Sequence, residues 1–483
     1  MKNRVDVCVV GSGMGGLTSA ALLAQKGLTV AVLEQNYLPG GCTSSYWRKG
    51  FVFETGATTL VGLDEGMPLK HLLDKTGIPL SARKLALPMQ VVLADGTVIN
   101  RYEAIEDWIK EAERIFGSKG QRPFWEFCYK VSRFVWDASL RFREFPSSSF
   151  SDLVKLASNA RITDFTYARW SFYSMAGLLR KYGLDQNERF VAFVNEQLLI
   201  TAQNQMEEVN VLFGATALCY TNYGNYYLDG GMINLVNPLV NYIEGRGGVV
   251  ALRCRVEKIV ADGERYTIGT SKGTFDSRFV IGAIPINNLR ELFPQVLQRG
   301  AKDMPSQMLN SAFQLSFGFR PRRQFDAIHY QIHLHTPLSG IKSKSIFLSL
   351  SHPLDETRSD VEGLMVASVT THIPHPGDTE IASDILEKEI IDTLEHHGFL
   401  ERKDIVYKHN SGPKAWEKWT GRKWGFVGGY PQYMKIKPWQ MVNSRLGPKG
   451  VYLCGDTAYP GQGIPGTVLS GIIAAEKLSR DWL

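Results

Sequence analysis

Short apolar runs broken by glycine clusters mark both ends of the chain. Val5 to Val10 is apolar except at Asp6, the pattern of a strand buried on both faces within a parallel sheet. Gly11-Ser12-Gly13-Met14-Gly15-Gly16 follows, and Leu17 to Gln25 then has helical composition up to a stop at Gly27. Leu28 to Leu33 predicts a second buried strand, with Glu34 at its end. An amphipathic helix is expected between Gly230-Gly231 and Gly247-Gly248, with strands around Val249 and Val256 and a final apolar run ending at Pro285. Val451-Tyr452-Leu453 reads as one more strand, and a helix is expected to start near Gly466. Strands alternating with helices in this way predict an α/β, Rossmann-type domain assembled discontinuously from 1–75, 225–300 and 445–483.

The remaining blocks, 76–224 and 301–444, carry other periods. "SAFQLSFGF", "IHYQIHLH", "IFLSLSH" and "LMVASVTTHI" alternate as strands of an antiparallel sheet with one apolar face. The earlier block is helical and aromatic, and predicts an α+β substrate-binding domain with a helical cap over a deep apolar pocket. Within it Val131, Phe134, Val135, Ala138, Phe142 and Phe145 fall near one helical face, with Arg133, Arg141 and Arg143 beside them. That face suits either packing in the domain or peripheral contact with lipid headgroups.

Composition narrows the class. The chain has 483 residues, 44% hydrophobic and 11% aromatic, enough for two interlocked domains with real cores. No apolar stretch reaches about 18 residues, and "MKNRVDVCVVGSG" lacks a secretory h-region, so a cytoplasmic protein is expected. Six scattered cysteines without a CxxC pair read as reduced thiols rather than a disulfide frame or zinc site. A net charge of +6 without a dense basic stripe gives no reason to expect nucleic acid, but suits an anionic membrane surface.

The glycine cluster carries the chemistry. Gly11, Gly13 and Gly16 form a GxGxxG between two strands, where a tight turn brings backbone amides at a helix N-terminus against a pyrophosphate. Glu34 lies where a carboxylate accepts the hydroxyls of an adenosine ribose. This much fits NAD or FAD equally. After Glu34, however, the chain runs through Gly40-Gly41, a hairpin-like alternation at Phe51 and Phe53, and Glu54-Thr55-Gly56. That stretch, together with "GDTAYPGQGIPGTVLSG" from Gly455 to Gly471, resembles the flavin amine oxidase and phytoene desaturase superfamily.

The resemblance implies FAD, held by Gly11, Gly13, Met14, Gly15, Gly16, Glu34, Gln35, Gly40, Gly41, Cys42, Thr58, Val256, Gly455, Asp456, Gly463, Ile464 and Thr467. Asp456 would meet the ribityl chain or the pyrophosphate, Val256 the adenine, and the final helix the flavin's pyrimidine end, where its N-terminus favours negative charge. Many members have Arg after the Gly-Gly pair, whereas this chain has Cys42-Thr43-Ser44-Ser45. That departure and the PGQG step resemble the carotenoid isomerase and retinol saturase branch. The implied activity is an FAD-dependent oxidoreductase or isomerase of a long conjugated polyene, with cis/trans isomerisation or saturation ranked above desaturation. Three alternatives accompany it: a carotenoid desaturase, a flavin amine oxidase with an aromatic cage from Trp424, Tyr430 and Tyr433, which could as well line a polyene tunnel, and a non-enzymatic prenyl-lipid carrier of the GDP-dissociation inhibitor type. No acid–base dyad stands out, and the sequence names no electron partner. Glu196, an acid inside an apolar helix, is the one candidate catalytic side chain. His333 and His335 share a strand face as an HxH, with no further metal ligands nearby, so no metal is expected.

Overall fold

Four residues of the first strand, Val7 to Val10, are buried on both faces, which only a central position in a covered sheet permits. The computed structural model describes residues 3–296, 304–341 and 343–483, and all counts below refer to these. The strand Asn3–Val10 lies parallel to Val30–Leu33 on one side and to Gly273–Gly282 on the other. Val249–Ala251 extends the sheet parallel to Val30–Leu33, and Val451–Leu453 pairs in parallel with residues 280–282. An antiparallel hairpin of Val256–Asp262 and Arg265–Thr270 completes seven strands. Strands from residues 3–33, 249–282 and 451–453 thus share one sheet. The expected boundary between 225–300 and 301–444 lies outside the described residues.

Two helices cover one face of this sheet and meet backbone to backbone. Met14–Gln25 follows the first strand, and Ile464–Trp482 packs across it. At their crossing a Cβ on Gly471 would stand 2.4 Å from the Gly15 carbonyl oxygen, so a larger residue there would push the helices apart. The final helix begins at Ile464, two residues before the expected Gly466, because Gly463 (φ +80°) caps it and Pro465 fits its first turn.

The second sheet runs in the order Ile405–Ser411, Asn310–Phe319, Met365–Pro374, Ser345–Leu350, His329–His333, Met89–Val92, Val98–Arg101. All four predicted strands are present, with three corrections. The sheet is mixed, since residues 330–332 pair in parallel with residues 90–92. The block expected to be helical supplies its last two strands. No single apolar face exists either: every residue of Asn310–Phe319 is buried, with Leu386, Ile390 and Leu394 of the helix Ser383–His396 covering one side. The strand ends at His333, so His335 lies beyond it and is exposed while His333 is buried.

Helices Ile105–Phe116, Gln121–Arg141, Glu188–Ala202 and Val211–Leu218 build an aromatic core around Trp108, Trp125, Phe190 and Phe193. The second of these stops at Arg141, so Phe142 and Phe145 continue the apolar surface from outside the helix.

Candidate functional site

The glycine cluster sits where the first strand turns into its helix, and its members do two different jobs. A Cβ on Gly11, Gly15 or Gly16 would strike backbone: the Ala283 oxygen at 2.9 Å, the Gly455 nitrogen at 2.9 Å and the Gly11 oxygen at 2.5 Å. Gly13 caps the helix with no side-chain hydrogen bond, and a Cβ placed there meets nothing within 4 Å; the same is true of Gly455. The first three glycines therefore draw the turn together, and the other two leave open space in front of the helix amides. Such a cradle fits a dinucleotide diphosphate.

Glu34 closes the far side. Its Oε2 accepts from the Ser12 backbone N–H at 2.9 Å and the Ser12 hydroxyl at 2.6 Å, and its Oε1 accepts from the Asn36 N–H at 2.9 Å. A carboxylate offers about four acceptor positions, so Oε1 keeps capacity for a ribose hydroxyl. The Cys254 N–H donates to the Glu34 carbonyl at 2.7 Å, which ties the segment entering Val256 to the same corner. Gly40 (φ +101°) donates its N–H to the Ser12 carbonyl at 3.0 Å and pairs with Gly13 in an isolated bridge, and Gly41 follows beside Gly13. Gln35 donates through Nε2 to the Trp419 carbonyl at 3.3 Å. The expected nucleotide residues, Met14 included, are thus brought together at the carboxyl ends of the parallel strands.

From there the cleft opens into a cavity of about 1,090 Å³. Cys42, Thr58, Asp456, Gly463, Ile464 and Thr467 line its inner end. Thr58 accepts from the Ser349 hydroxyl at 2.8 Å, and Thr467 donates back to the Gly463 carbonyl at 3.0 Å. Burial pushes the Cys42 thiol up, partly offset by the Arg422 guanidinium, so the thiol stays protonated at neutral pH.

Phe134, Val135, Ala138, Phe142 and Phe145 line the outer part of the cavity. The amphipathic face thus looks inward, and two of its arginines are committed: Arg141 pairs with Asp164 at 2.9 Å and Asp137 at 2.8 Å, and Arg143 with Glu476 at 2.5 Å. The polar groups of the wall are mostly uncharged. Burial holds His372 down at about 4, and Tyr220 and Tyr459 up at about 12, so all three are neutral at pH 7. His372 is half-buried and lines the cavity.

Glu196 lies behind this wall. Its Oε2 accepts from the Ser345 hydroxyl at 2.6 Å, and it is Ser345 that faces the cavity. Burial raises its pKa above the ordinary carboxylate range, with the Ser345 bond opposing. The three aromatics offered for an amine cage or a polyene tunnel line neither: Tyr430 stacks on Phe426, Tyr433 donates to the Met308 carbonyl at 3.1 Å, and Lys423 covers Trp424. Trp416 and Trp439 take the lining positions instead. Glu54 of the Glu54-Thr55-Gly56 step is buried against Arg358 at 2.8 Å, and its carbonyl accepts from Gln314, which lines the cavity. Gln314, His372 and Arg422 carry no local sequence signal, since each reaches the site from a distant strand or loop. No cluster of three or more His, Cys, Asp or Glu side chains able to hold a metal exists among the described residues.

The family model described as flavin containing amine oxidoreductase matches residues 14–479. A chloroplastic prolycopene isomerase of an Oncidium hybrid cultivar is 24% identical over 505 residues, covering 99% of this chain and 84% of the relative. An all-trans-retinol 13,14-reductase of Danio rerio is 29% identical over 278 residues, covering 55% and 44%. Among solved structures, a redesigned putrescine oxidase superposes with a TM-score of 0.66 at 16% identity, covering 99% of this chain and all of that one; at such identity it speaks for the fold alone. With the family match running through nearly the whole chain and a dinucleotide cleft at its start, the chain belongs to the flavin-containing amine oxidoreductase family and is an FAD-dependent enzyme, not a prenyl-lipid carrier.

Proposed function

We propose that this enzyme acts on a long conjugated polyene or similar lipid, by cis/trans isomerisation or saturation in preference to desaturation. The observation that carries the reading is the wall of the cavity: beyond the inner end that Cys42, Thr58, Asp456 and Gly463 give to the cofactor, it is lined by aromatic and aliphatic side chains such as Phe134, Phe142, Phe172 and Leu212 and by titratable groups held neutral. An amine or other cationic substrate would find neither a carboxylate in the outer cavity wall free of an ion-pair partner nor the expected aromatic cage. The similarity to a prolycopene isomerase and a retinol reductase supports a polyene and favours isomerisation or saturation.

In this reading FAD, when bound, supplies the electron chemistry, and the protein binds and orients. Gly13 to Gly16 hold the diphosphate, Glu34 and Val256 the adenosine, and Asp456, Thr58 and Gly40 to Cys42 the ribityl and ring side. The amides of the helix starting at Ile464 favour negative charge at the inner end of the cavity. Residues 1–75, 225–300 and 445–483 make the FAD-binding domain, with 76–224 and 301–444 around the substrate. Glu196 remains behind Ser345 and contributes through that hydroxyl, not by direct contact.

Substrate entry follows from the same cavity. Phe165, Phe172 and Trp439 line its outer end and are also 72%, 57% and 48% exposed. They continue into Phe150, Leu153, Val154 and Ile162 on the short helices Phe150–Asn159 and Ile162–Ala168, with Lys155 and Arg169 exposed beside them and Arg161 paired with Asp137 at 3.2 Å. We place peripheral membrane contact on this face rather than on the inward-looking 131–145 surface, at the cytoplasmic side of an anionic bilayer. No helix among the described residues is long and apolar enough to cross a membrane.

The test is turnover of a panel of cis and trans polyenes with the flavin pre-reduced or oxidised and air excluded. Isomer or hydrogenated product with reduced flavin is expected. Product lighter by two hydrogens, formed only with oxidised flavin, would make the enzyme a desaturase.

A further inference from the structure

One segment crosses the cofactor cleft without belonging to any of the motifs that announce it. The helix Pro413–Thr420 ends at Gly421 in the left-handed conformation (φ +69°) and delivers Trp419, Gly421 and Arg422 over the carboxyl ends of the parallel strands. The Trp419 carbonyl accepts from Asn36 at 2.7 Å and from Gln35 at 3.3 Å; its indole donates to the Gly41 carbonyl at 3.4 Å, and its ring stands edge-on to Tyr37 with centroids 5.7 Å apart. Asn288 donates to the Gly421 carbonyl at 2.8 Å. Arg422 then reaches Asp456 in a two-pronged ion pair, at 2.8 and 3.0 Å. Three residues within a stretch of four, Trp419, Gly421 and Arg422, therefore bind the strand end after Glu34, the Gly40-Gly41 turn, the region after Ala283 and the Gly455-Asp456 turn.

The placement of Arg422 matters beyond the packing. Its side chain is only 12% exposed and is held on Asp456, which lines the cavity and directly follows Gly455 of the cradle. The two bonds to Asp456 occupy two of its five N–H donors. A cleft that already holds Glu34 and Asp456 would repel a doubly charged diphosphate unless a cation stood beside them. A planar guanidinium can serve a carboxylate and a phosphate oxygen at once, which an ammonium cannot do in the same geometry.

We propose that residues 413–422 form a clasp over the bound FAD and that Arg422 is a cofactor-binding residue, bridging Asp456 and the diphosphate. The inference rests on the FAD assignment and is independent of the substrate.

FAD release from diluted holoprotein, followed by the rise in flavin fluorescence, is compared for the parent, Arg422→Gln and Arg422→Lys. The glutamine keeps a neutral donor toward Asp456, and thermal melting of each variant establishes that it is folded. ADP and adenosine are then used as competitors for FAD rebinding. FAD held about 10- to 100-fold more weakly by Arg422→Gln is expected, with Arg422→Lys between. ADP should lose its advantage over adenosine in the Gln variant, while adenosine competes as it does in the parent. Equal weakening of ADP and adenosine would make the segment a structural tie only, and unchanged FAD release would remove Arg422 from the cofactor site; either result overturns the proposal.

Discussion

At the scale of single residues, Glu34 has two duties that the sequence presents as one. Its position after the second strand marks it as a ribose acceptor, but the structure also hangs the Ser12 amide and hydroxyl on the same carboxylate. Glu34→Ala should weaken FAD binding roughly 10- to 150-fold, because a hydrogen bond to a charged group contributes about 1.5–3 kcal/mol. Flavin retention after dialysis checks this, and full retention would contradict the ribose role. The acid was legible because its partners, the glycine turn and two flanking strands, all lie within about thirty residues of chain. Arg422 was not, since nothing near "KWTGRKWG" indicates that it will meet Asp456, 34 residues later, across a cofactor cleft. The amine-cage aromatics failed for the opposite reason. Their local spacing suggested a cluster, but the turn at Trp424 (φ +61°) sends the three rings to different surroundings.

At the scale of elements, periodicity located helices and strands but did not say what each face meets. The 131–145 face has the pattern of a lipid-binding surface, and it lines an internal cavity whose apolar wall makes the same demand on sequence. In the second sheet, strands buried on both sides lose the contrast between faces that alternation would reveal, so its mixed pairing was out of reach. The block holding the short helices Phe150–Asn159 and Ile162–Ala168 reads as helical and aromatic, but its pattern does not show which apolar residues face outward; Phe150 and Ile162 are 82% and 89% exposed. Ile162→Glu combined with Phe165→Glu should abolish flotation with anionic liposomes at low salt. It should cost little stability, since surface positions usually change stability by less than about 0.5 kcal/mol. Unaltered flotation would dismiss this face as the docking site.

At the scale of the molecule, the second sheet stores a pH limit. His329, His333 and His372 are held by burial at pKa values of about 4, below the ordinary value near 6.5. As pH falls below about 6.5 the unfolded chain takes up protons first, so stability present at neutral pH is lost progressively down to about pH 4. Each histidine should cost about 2 kcal/mol by pH 5. Urea midpoints at pH 7 and pH 5 measure this, and an unchanged midpoint would mean that the rings are solvated. A different consequence follows from the way the first sheet is gathered. The strand Asn3–Val10 leaves the ribosome about 450 residues ahead of Val451–Leu453, which completes the carboxyl edge where Asp456 sits. At about 5–20 residues per second, the nascent chain spends roughly 20–90 seconds with the Gly13 turn made and its opposite wall still untranslated. Flavin capture therefore belongs to the last act of synthesis. A ribosome stalled before residue 451 would hold a chain with half a nucleotide cleft, its apolar sheet edge open to chaperones and to other nascent chains.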